Sequence, residues 1–161
     1  MSHGEVVKGL YIGDVWTFRN KEFIQDLDVI VSLYDVYKRE NVDIPKGVEI
    51  HLMEFDDIDY YLEYHTNWDE YKLEVYTVCR KVCDILSNCT KKNERILVHC
   101  QGGINRSSLV IGYYLMSQLG YSFESVCEAL ANTNNRYRNG CPYLMNTFFC
   151  SILRELEAKG A

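Results

Sequence analysis

The residues with the means to do chemistry lie side by side: His99-Cys100-Gln101-Gly102-Gly103-Ile104-Asn105-Arg106-Ser107. Cysteine attacks as its thiolate, and that form is favoured where backbone N–H groups, a helix N-terminus and a cation converge. Gly102 and Gly103 let successive N–H groups point at one centre, and Gln101, Ile104 and Asn105 add further amides. Arg106 follows closely enough to fold back and bind two oxygens of an anion through its planar fork. Ser107 is placed either to donate a hydrogen bond to the sulfur or to cap a helix. The chemistry this suits is attack of Cys100 on a phosphoryl group held by amides and a guanidinium.

The elements that must position these groups can be read on either side. Arg95 to Val98 reads as a short buried strand, and Leu109 to Leu119 as a buried helix stopped by Gly120. The nine residues therefore form a strand-to-helix turn.

His-Cys, five residues, then Arg-Ser resembles the signature loop of the cysteine-dependent protein tyrosine phosphatases. The whole chain is similar to their small dual-specificity branch, including an opening Gly9-Leu10-Tyr11-Ile12-Gly13 segment. The resemblance implies hydrolysis of phosphotyrosine, and of phosphoserine and phosphothreonine, through a phosphocysteine intermediate, with no metal or cofactor. It also implies that His99 fixes the cysteine through hydrogen bonds rather than acting as a base, although a lone histidine at a strand end reads equally as a core residue.

A carboxylic acid must protonate the leaving oxygen, and the family carries it on a loop after the preceding strand. Placing Leu52 at that strand's inward position makes Asp56 the acid, with Asp57 next in line and Asp59 and Asp69 as alternatives. The separation from Asp56 to Cys100 is longer than the family usually shows, so the stretch 54–67, acidic and aromatic without Lys or Arg, reads as an insertion near the site. It would repel acidic phosphopeptides, or simply be a solvated loop. Asn146 with Phe149 is similar to the family's Asn-x-Gly-Phe element, whose asparagine supports the signature loop, but Phe148 stands where glycine is usual. Arg136 and Arg138 read either as cations beside the cleft or as solvated surface residues. Rival readings are a phosphoinositide phosphatase, an RNA 5′-phosphatase and a catalytically silent phosphate-binding module. Lipid-directed relatives carry lysines in the loop, which Gln101 to Asn105 lack, whereas Asn105-Arg106 is shared with RNA-directed ones.

The remaining composition sets limits. A chain of 161 residues fits one catalytic domain, 1–161. Its net charge of −6 argues against nucleic acid or an anionic membrane as partner, and the resemblance implies a phosphoprotein substrate. No apolar run is long enough to span a bilayer, and Met1 to Glu5 lacks a signal peptide's layout. With seven cysteines, this leads to the expectation of free thiols in the cytoplasm or nucleus. Cys79, Cys83 and Cys89 lie along one helical face, which points to packing rather than metal binding.

Along the chain the pattern predicts paired strands over Val6–Gly13, a short helix from Thr17 to Gln25 with Asn20 as an alternative cap, and a buried strand Asp28–Leu33. Tyr34–Lys46 reads as loop and Val48–Met53 as the next strand. A helix starts near Trp68 with Asn67 as cap, another runs from Ser122 to Asn134, and a third spans Leu144–Leu156. The expected fold is α/β, a short, mostly parallel central sheet flanked by helices, of the dual-specificity phosphatase type.

Overall fold

The structure, a computed structural model, describes residues 3–60 and 67–160. Five strands form one sheet in the order β1-β2-β5-β3-β4. They are β1 (His3–Val7), β2 (Leu10–Gly13), β3 (Val29–Ser32), β4 (Glu49–Leu52) and β5 (Ile96–His99). β1 pairs antiparallel with β2, and the other three pairings are parallel. The mostly parallel α/β sheet is the expected one.

β5 sits in the middle and is buried along its whole length, as is β3. Strands covered on both faces need apolar side chains at every position, which is why Ile96-Leu97-Val98 and Val29-Ile30-Val31 are unbroken runs. Successive residues of β5 alternate between two cores. Ile96, Val98 and Cys100 join the larger core beneath α3 (Trp68–Lys91), α4 (Arg106–Leu119) and α6 (Thr147–Ala158). Leu97 joins the smaller core on the other face, under a 3₁₀ turn (Val15–Arg19), α1 (Lys21–Gln25) and α2 (Val36–Arg39). α5 (Phe123–Tyr137) packs on β1.

Local chemistry sets the ends of the helices. Asn67 Oδ1 accepts the Glu70 N–H at the start of α3, and Ser122 Oγ accepts the Ser125 N–H at the start of α5. Gly120 ends α4 with a left-handed φ of 74°. α4 is buried nearly all round, as its continuous apolar stretch requires.

Some boundaries differ from expectation. Asn20 divides the Thr17–Gln25 segment, closing the 3₁₀ turn and capping α1 through a bond from the Phe23 N–H. The Tyr34–Lys46 stretch contains one helical turn, α2, because the Asp35 carboxylate accepts the Lys38 N–H. β1 begins at His3, whose ring stacks on Phe23. On α3 the deepest residues are Val75, Cys79, Val82 and Leu86, with Val78 and Ile85 on the half-buried flank. Burial pushes the Cys79, Cys83 and Cys89 thiols up, as packing residues.

Leu86 is fully buried where α3 meets the larger core. Leu86→Ala is expected to lower unfolding stability by about 3 kcal/mol in urea titration, at unchanged slope.

Candidate active site

The loop leaves β5 at His99 and enters α4 at Arg106. Its carbonyls are all turned away into the protein. His99 O accepts from Leu33 N–H, Gln101 O from Val15 N–H, Ile104 O from Leu144 N–H and Asn105 O from Leu109 N–H. His99 Nδ1 lies 3.3 Å from Cys100 O, and Arg138 reaches Gly103 O at 2.8 Å and Gly102 O at 3.5 Å. Among the described residues, no N–H of residues 101–105 donates to another protein group. Those amides are left for a ligand, the hydrogen-bond account expected of an anion nest at a helix N-terminus. Gly103, at φ +63°, makes the turn, and a Cβ there would stand 2.2 Å from an Arg138 nitrogen.

Cys100 is buried, with its Sγ 3.3 Å from Ser107 Oγ. Against a thiolate only the hydroxyl can donate, which fits the sulfur-supporting role for Ser107. Arg106 donates from Nη1 to Phe55 O at 3.3 Å, while its buried Nε has no partner among the described residues. An oxyanion held by the loop would supply that partner.

His99 is fully buried and packs edge-on against Phe18. The Cys100 carbonyl can only accept, so Nδ1 carries the hydrogen; Nε2 then accepts from the Ser32 hydroxyl at 2.7 Å. Ser32 and His99 are register partners on β3 and β5, which is why their side chains meet. Tyr37 Oη, 3.1 Å from Ser32 Oγ, completes the chain by donating to it. Burial drives the His99 pKa down to about 4, with the nearby Arg106 adding to the shift against the bond to Cys100. A neutral imidazole bound on both sides orients the loop and is not placed as a base.

The four candidate acids have different surroundings. Asp56 lines a cleft of about 490 Å³ with Tyr34, Arg39, Glu54, Gln101 and Arg106. Its carboxylate accepts no hydrogen bond from the described residues, while its backbone carbonyl accepts from Tyr71 Oη. Asp57 also borders the cleft, but its oxygens accept from Asn105 Nδ2 (2.9 Å) and Asn146 Nδ2 (2.7 Å). Asp59 caps α6 through the Thr147 N–H and hydroxyl. Burial would raise its pKa, but these donors, with the Tyr60 and Phe148 N–H groups, hold it below the usual carboxylate value. Asp69 lies in the first turn of α3.

Leu52 is not at an inward position. It ends edge strand β4 and is 49% exposed, whereas Phe55 is buried against Phe149. Alternation carries on past the strand, with the Met53 N–H still bonded to Ser32 O: Met53 and Phe55 face the larger core, while Leu52 shares the other face with Ile50, where the smaller core stops short of it. Of the acidic–aromatic stretch 54–67, residues 61–66 lie outside the described residues. Tyr60 packs on Trp68 and Phe148, and Phe148 fills the space between them and Tyr71. Asn146 does support the loop: its N–H donates to Asn105 Oδ1, and its own Oδ1 caps α6 at the Phe149 N–H.

Neither Arg136 nor Arg138 stands beside the cleft as a solvent-facing cation. Arg136 lies over Tyr137 and borders a separate depression with Glu5 and Lys8. Arg138 is buried behind the loop, bonded to Asn134 Oδ1 at 3.0 Å and 3.8 Å from Asp14. Burial of Asp14 outweighs the pull of Arg138 and raises its pKa on balance, so the loosely spaced pair does not offset desolvation. The Arg138 role, like those of Tyr34 and Arg39 at the mouth, has no local sequence signal. Arg39 is held by Glu54 at 3.4 Å and lies over Tyr34, whose ring in turn faces Arg106. Among the described residues no group of three or more His, Cys, Asp or Glu is placed to hold a metal ion.

Two outcomes follow from this geometry. Arg138→Lys, which keeps the charge but lacks the fork, is expected to weaken tungstate binding about tenfold in calorimetry, a loss of about 1.4 kcal/mol. The folded protein takes up the His99 proton only near pH 4 and the unfolded chain near 6.5, so unfolding binds a proton between these values. Acidification through that window therefore costs stability, and the melting temperature of His99→Asn is expected to fall less than that of the wild type.

Residues 10–159 match the family described as "Dual specificity phosphatase, catalytic domain". Human DUSP28 superposes with a TM-score of 0.72 at 18% identity, covering 100% of this chain and 97% of that one. Human tyrosine phosphatase-like serine/threonine/tyrosine-interacting protein gives a TM-score of 0.72 at 16% identity, over 97% and 95% of the two chains. At such identities these likenesses concern the fold. Among curated proteins, the dual specificity protein phosphatase OPG106 of Vaccinia virus (strain Western Reserve) is 51% identical over 37 residues, 23% of this chain and 22% of the viral protein. A probable rhodanese domain-containing dual specificity protein phosphatase of Dictyostelium discoideum is 35% identical over 68 residues, 40% of this chain. The chain covers only 14% of that protein's length. A match over nearly its whole length, on a fold that leaves the loop's amides without protein acceptors among the described residues, places the chain in the dual specificity phosphatase catalytic-domain family.

Proposed function

We propose that this protein hydrolyses phosphotyrosine, and phosphoserine and phosphothreonine, on protein substrates through a phosphocysteine intermediate. The observation that carries the reading is the loop's hydrogen-bond account: every carbonyl from His99 to Asn105 faces a protein donor, and no amide of 101–105 is used within the described residues.

In the first displacement the Cys100 thiolate forms a bond to phosphorus as the bond to the substrate oxygen breaks. The loop amides and Arg106 bind the three non-bridging oxygens, where transition-state charge collects. Asp56, facing the cleft with its carboxylate unengaged by the described residues, gives its proton to the departing oxygen. In the second displacement Asp56 takes a proton from water, the oxygen of that water bonds to phosphorus, and the phosphorus–sulfur bond breaks. Ser107 stabilises the departing thiolate. The covalent intermediate divides one difficult transfer into two. The Tyr34 ring, beside Arg106 at the wall of the cleft, offers a face for the ring of a phosphotyrosine. Cysteines that are all free suit a reducing compartment, and we extend the proposal to the cytoplasm or nucleus.

The test is turnover of para-nitrophenyl phosphate and of a phosphotyrosine peptide in the presence of a chelator. The wild type is expected to turn over both, with inhibition by vanadate, and Cys100→Ser neither. Asp56→Asn is expected to slow the phosphopeptide on the order of 100-fold, and the better leaving group much less. Turnover that survives in Cys100→Ser would overturn the reading.

A further inference from the structure

Asp57 sits beside the proposed acid in a closed ring of side-chain bonds. Asn105 occupies the N-cap position of α4 yet makes no side-chain cap bond there. Its amide is used elsewhere: Nδ2 donates to Asp57 Oδ2 at 2.9 Å, and Oδ1 accepts the Asn146 N–H at 2.9 Å. Asn146 Nδ2 closes the ring on Asp57 Oδ1 at 2.7 Å and also donates to Ile58 O at 3.0 Å. Three segments far apart in sequence meet at one carboxylate: the phosphate loop, the start of α6 and the segment after β4.

We infer that Asp57 is a positioning residue, a clasp that with Asn105 and Asn146 holds the acid-bearing segment onto the phosphate loop so that Asp56 faces the leaving oxygen. The inference rests on the phosphatase reading and assigns a division of labour within it. Both Asp57 oxygens accept amide N–H groups, so a proton placed on either would face a donor. The residue suits holding better than proton delivery. Neighbouring bonds serve the same segment: Tyr71 Oη donates to Asp56 O and accepts the Ile58 N–H, and Phe55 is anchored in the core. The Tyr71 bonds to Asp56 O and Ile58 N–H are to backbone atoms, whereas the Asp57 carboxylate is bonded directly to a residue of the loop. Asn105 immediately precedes Arg106, so the clasp couples the height of the acid to the position of the guanidinium that binds the phosphoryl oxygens. An error of an ångström in such a placement is enough to cost orders of magnitude in rate.

The ring admits a swap. In Asp57→Asn with Asn105→Asp, the new carboxylate at 105 accepts both from the Asn146 N–H and from the amide at 57. That amide's oxygen still accepts Asn146 Nδ2. All three bonds and the local charge are kept. Asp57→Asn alone leaves one amide donor facing another, and Asn105→Asp alone sets two carboxylates together.

The experiment compares wild type, both single variants and the swapped double variant by kcat on a phosphotyrosine peptide, the pH profile of kcat and amide hydrogen exchange at Asn146 and Ile58. Each single variant is expected to lose at least tenfold in kcat on the peptide while keeping the alkaline limb that reports the acid. Asn146 and Ile58 amides are expected to exchange faster in each. The double variant is expected to recover most of both losses. Loss of the alkaline limb in Asp57→Asn would overturn the inference and make Asp57 the acid. A double variant no better than the singles, or exchange unchanged in the singles, would overturn it as well. Absence of Cys100-dependent turnover in the wild type would instead sink the phosphatase reading, and the exchange rates would still decide whether the clasp exists.

Discussion

A peptide unit that turns its N–H toward an anion must turn its C=O the other way. In a loop at the end of a buried strand, that means into the protein, where an unpaired carbonyl is costly. The whole site depends on meeting this constraint. Four of the loop's carbonyls are answered by backbone N–H groups of the surrounding turns and of α4. Those of Gly102 and Gly103 have no backbone donor and are answered by the Arg138 guanidinium. Its planar fork can serve adjacent carbonyls at once, which an ammonium cannot do with comparable geometry. It also brings a second positive charge to the back of a loop whose front carries Arg106. The glycine at 103 is needed twice over, for its positive φ and because Arg138 occupies the volume of any Cβ.

Sheet topology explains why this loop sits where it does. β5 has parallel neighbours on both sides, so its C-terminal end opens between the ends of β2 and β3. Gly13 and Ser32 are the register partners of His99, and the turn after Gly13 supplies both Asp14 and the Val15 N–H that faces the loop. Period-2 alternation then separates the roles of the two adjacent residues. His99 points toward Phe18 and Ser32 and is locked there as a neutral bridge, while Cys100 points to the α4 side, beside Ser107. One step along a strand divides the histidine that braces the loop from the cysteine that faces Ser107.

What could be read from the sequence follows from how local each determinant is. Cys100, Arg106, Ser107 and the two glycines lie within a single turn, so their spacing alone described the cradle. The Asn67, Ser122 and Gly120 helix signals are equally local, each acting within a few residues. The role of Arg138 escaped because its partners in the loop are 35 and 36 residues away, and its pattern in sequence is that of a surface arginine. The inward position of this strand escaped because Leu52 lies on the Ile50 face of edge strand β4, where the smaller core does not reach it. Alternation itself continues through Met53 to Phe55 on the other face, so choosing the wrong face exchanges inside for outside. Phe55, with a large apolar side chain and α6 to pack on, settles the matter in the fold.

The segment after β4 shows how environment distinguishes chemically identical groups. Asp56, Asp57 and Asp59 fall within four residues, and composition alone makes them equivalent. Their surroundings do not. Asp59 meets the N–H groups at the start of α6 and the Thr147 hydroxyl, an ionised cap that ties the chain to that helix. Asp57 meets two side-chain amides, one of them from the phosphate loop. Asp56 meets the cleft. A carboxyl proposed to release and recover a proton in each cycle is poorly suited to tether its own segment, because the tether's bonds would change with every proton it exchanged. With the holding given to Asp57 and Asp59, both on its C-terminal side, the Asp56 carboxyl is left facing the cleft over a backbone fixed by Tyr71.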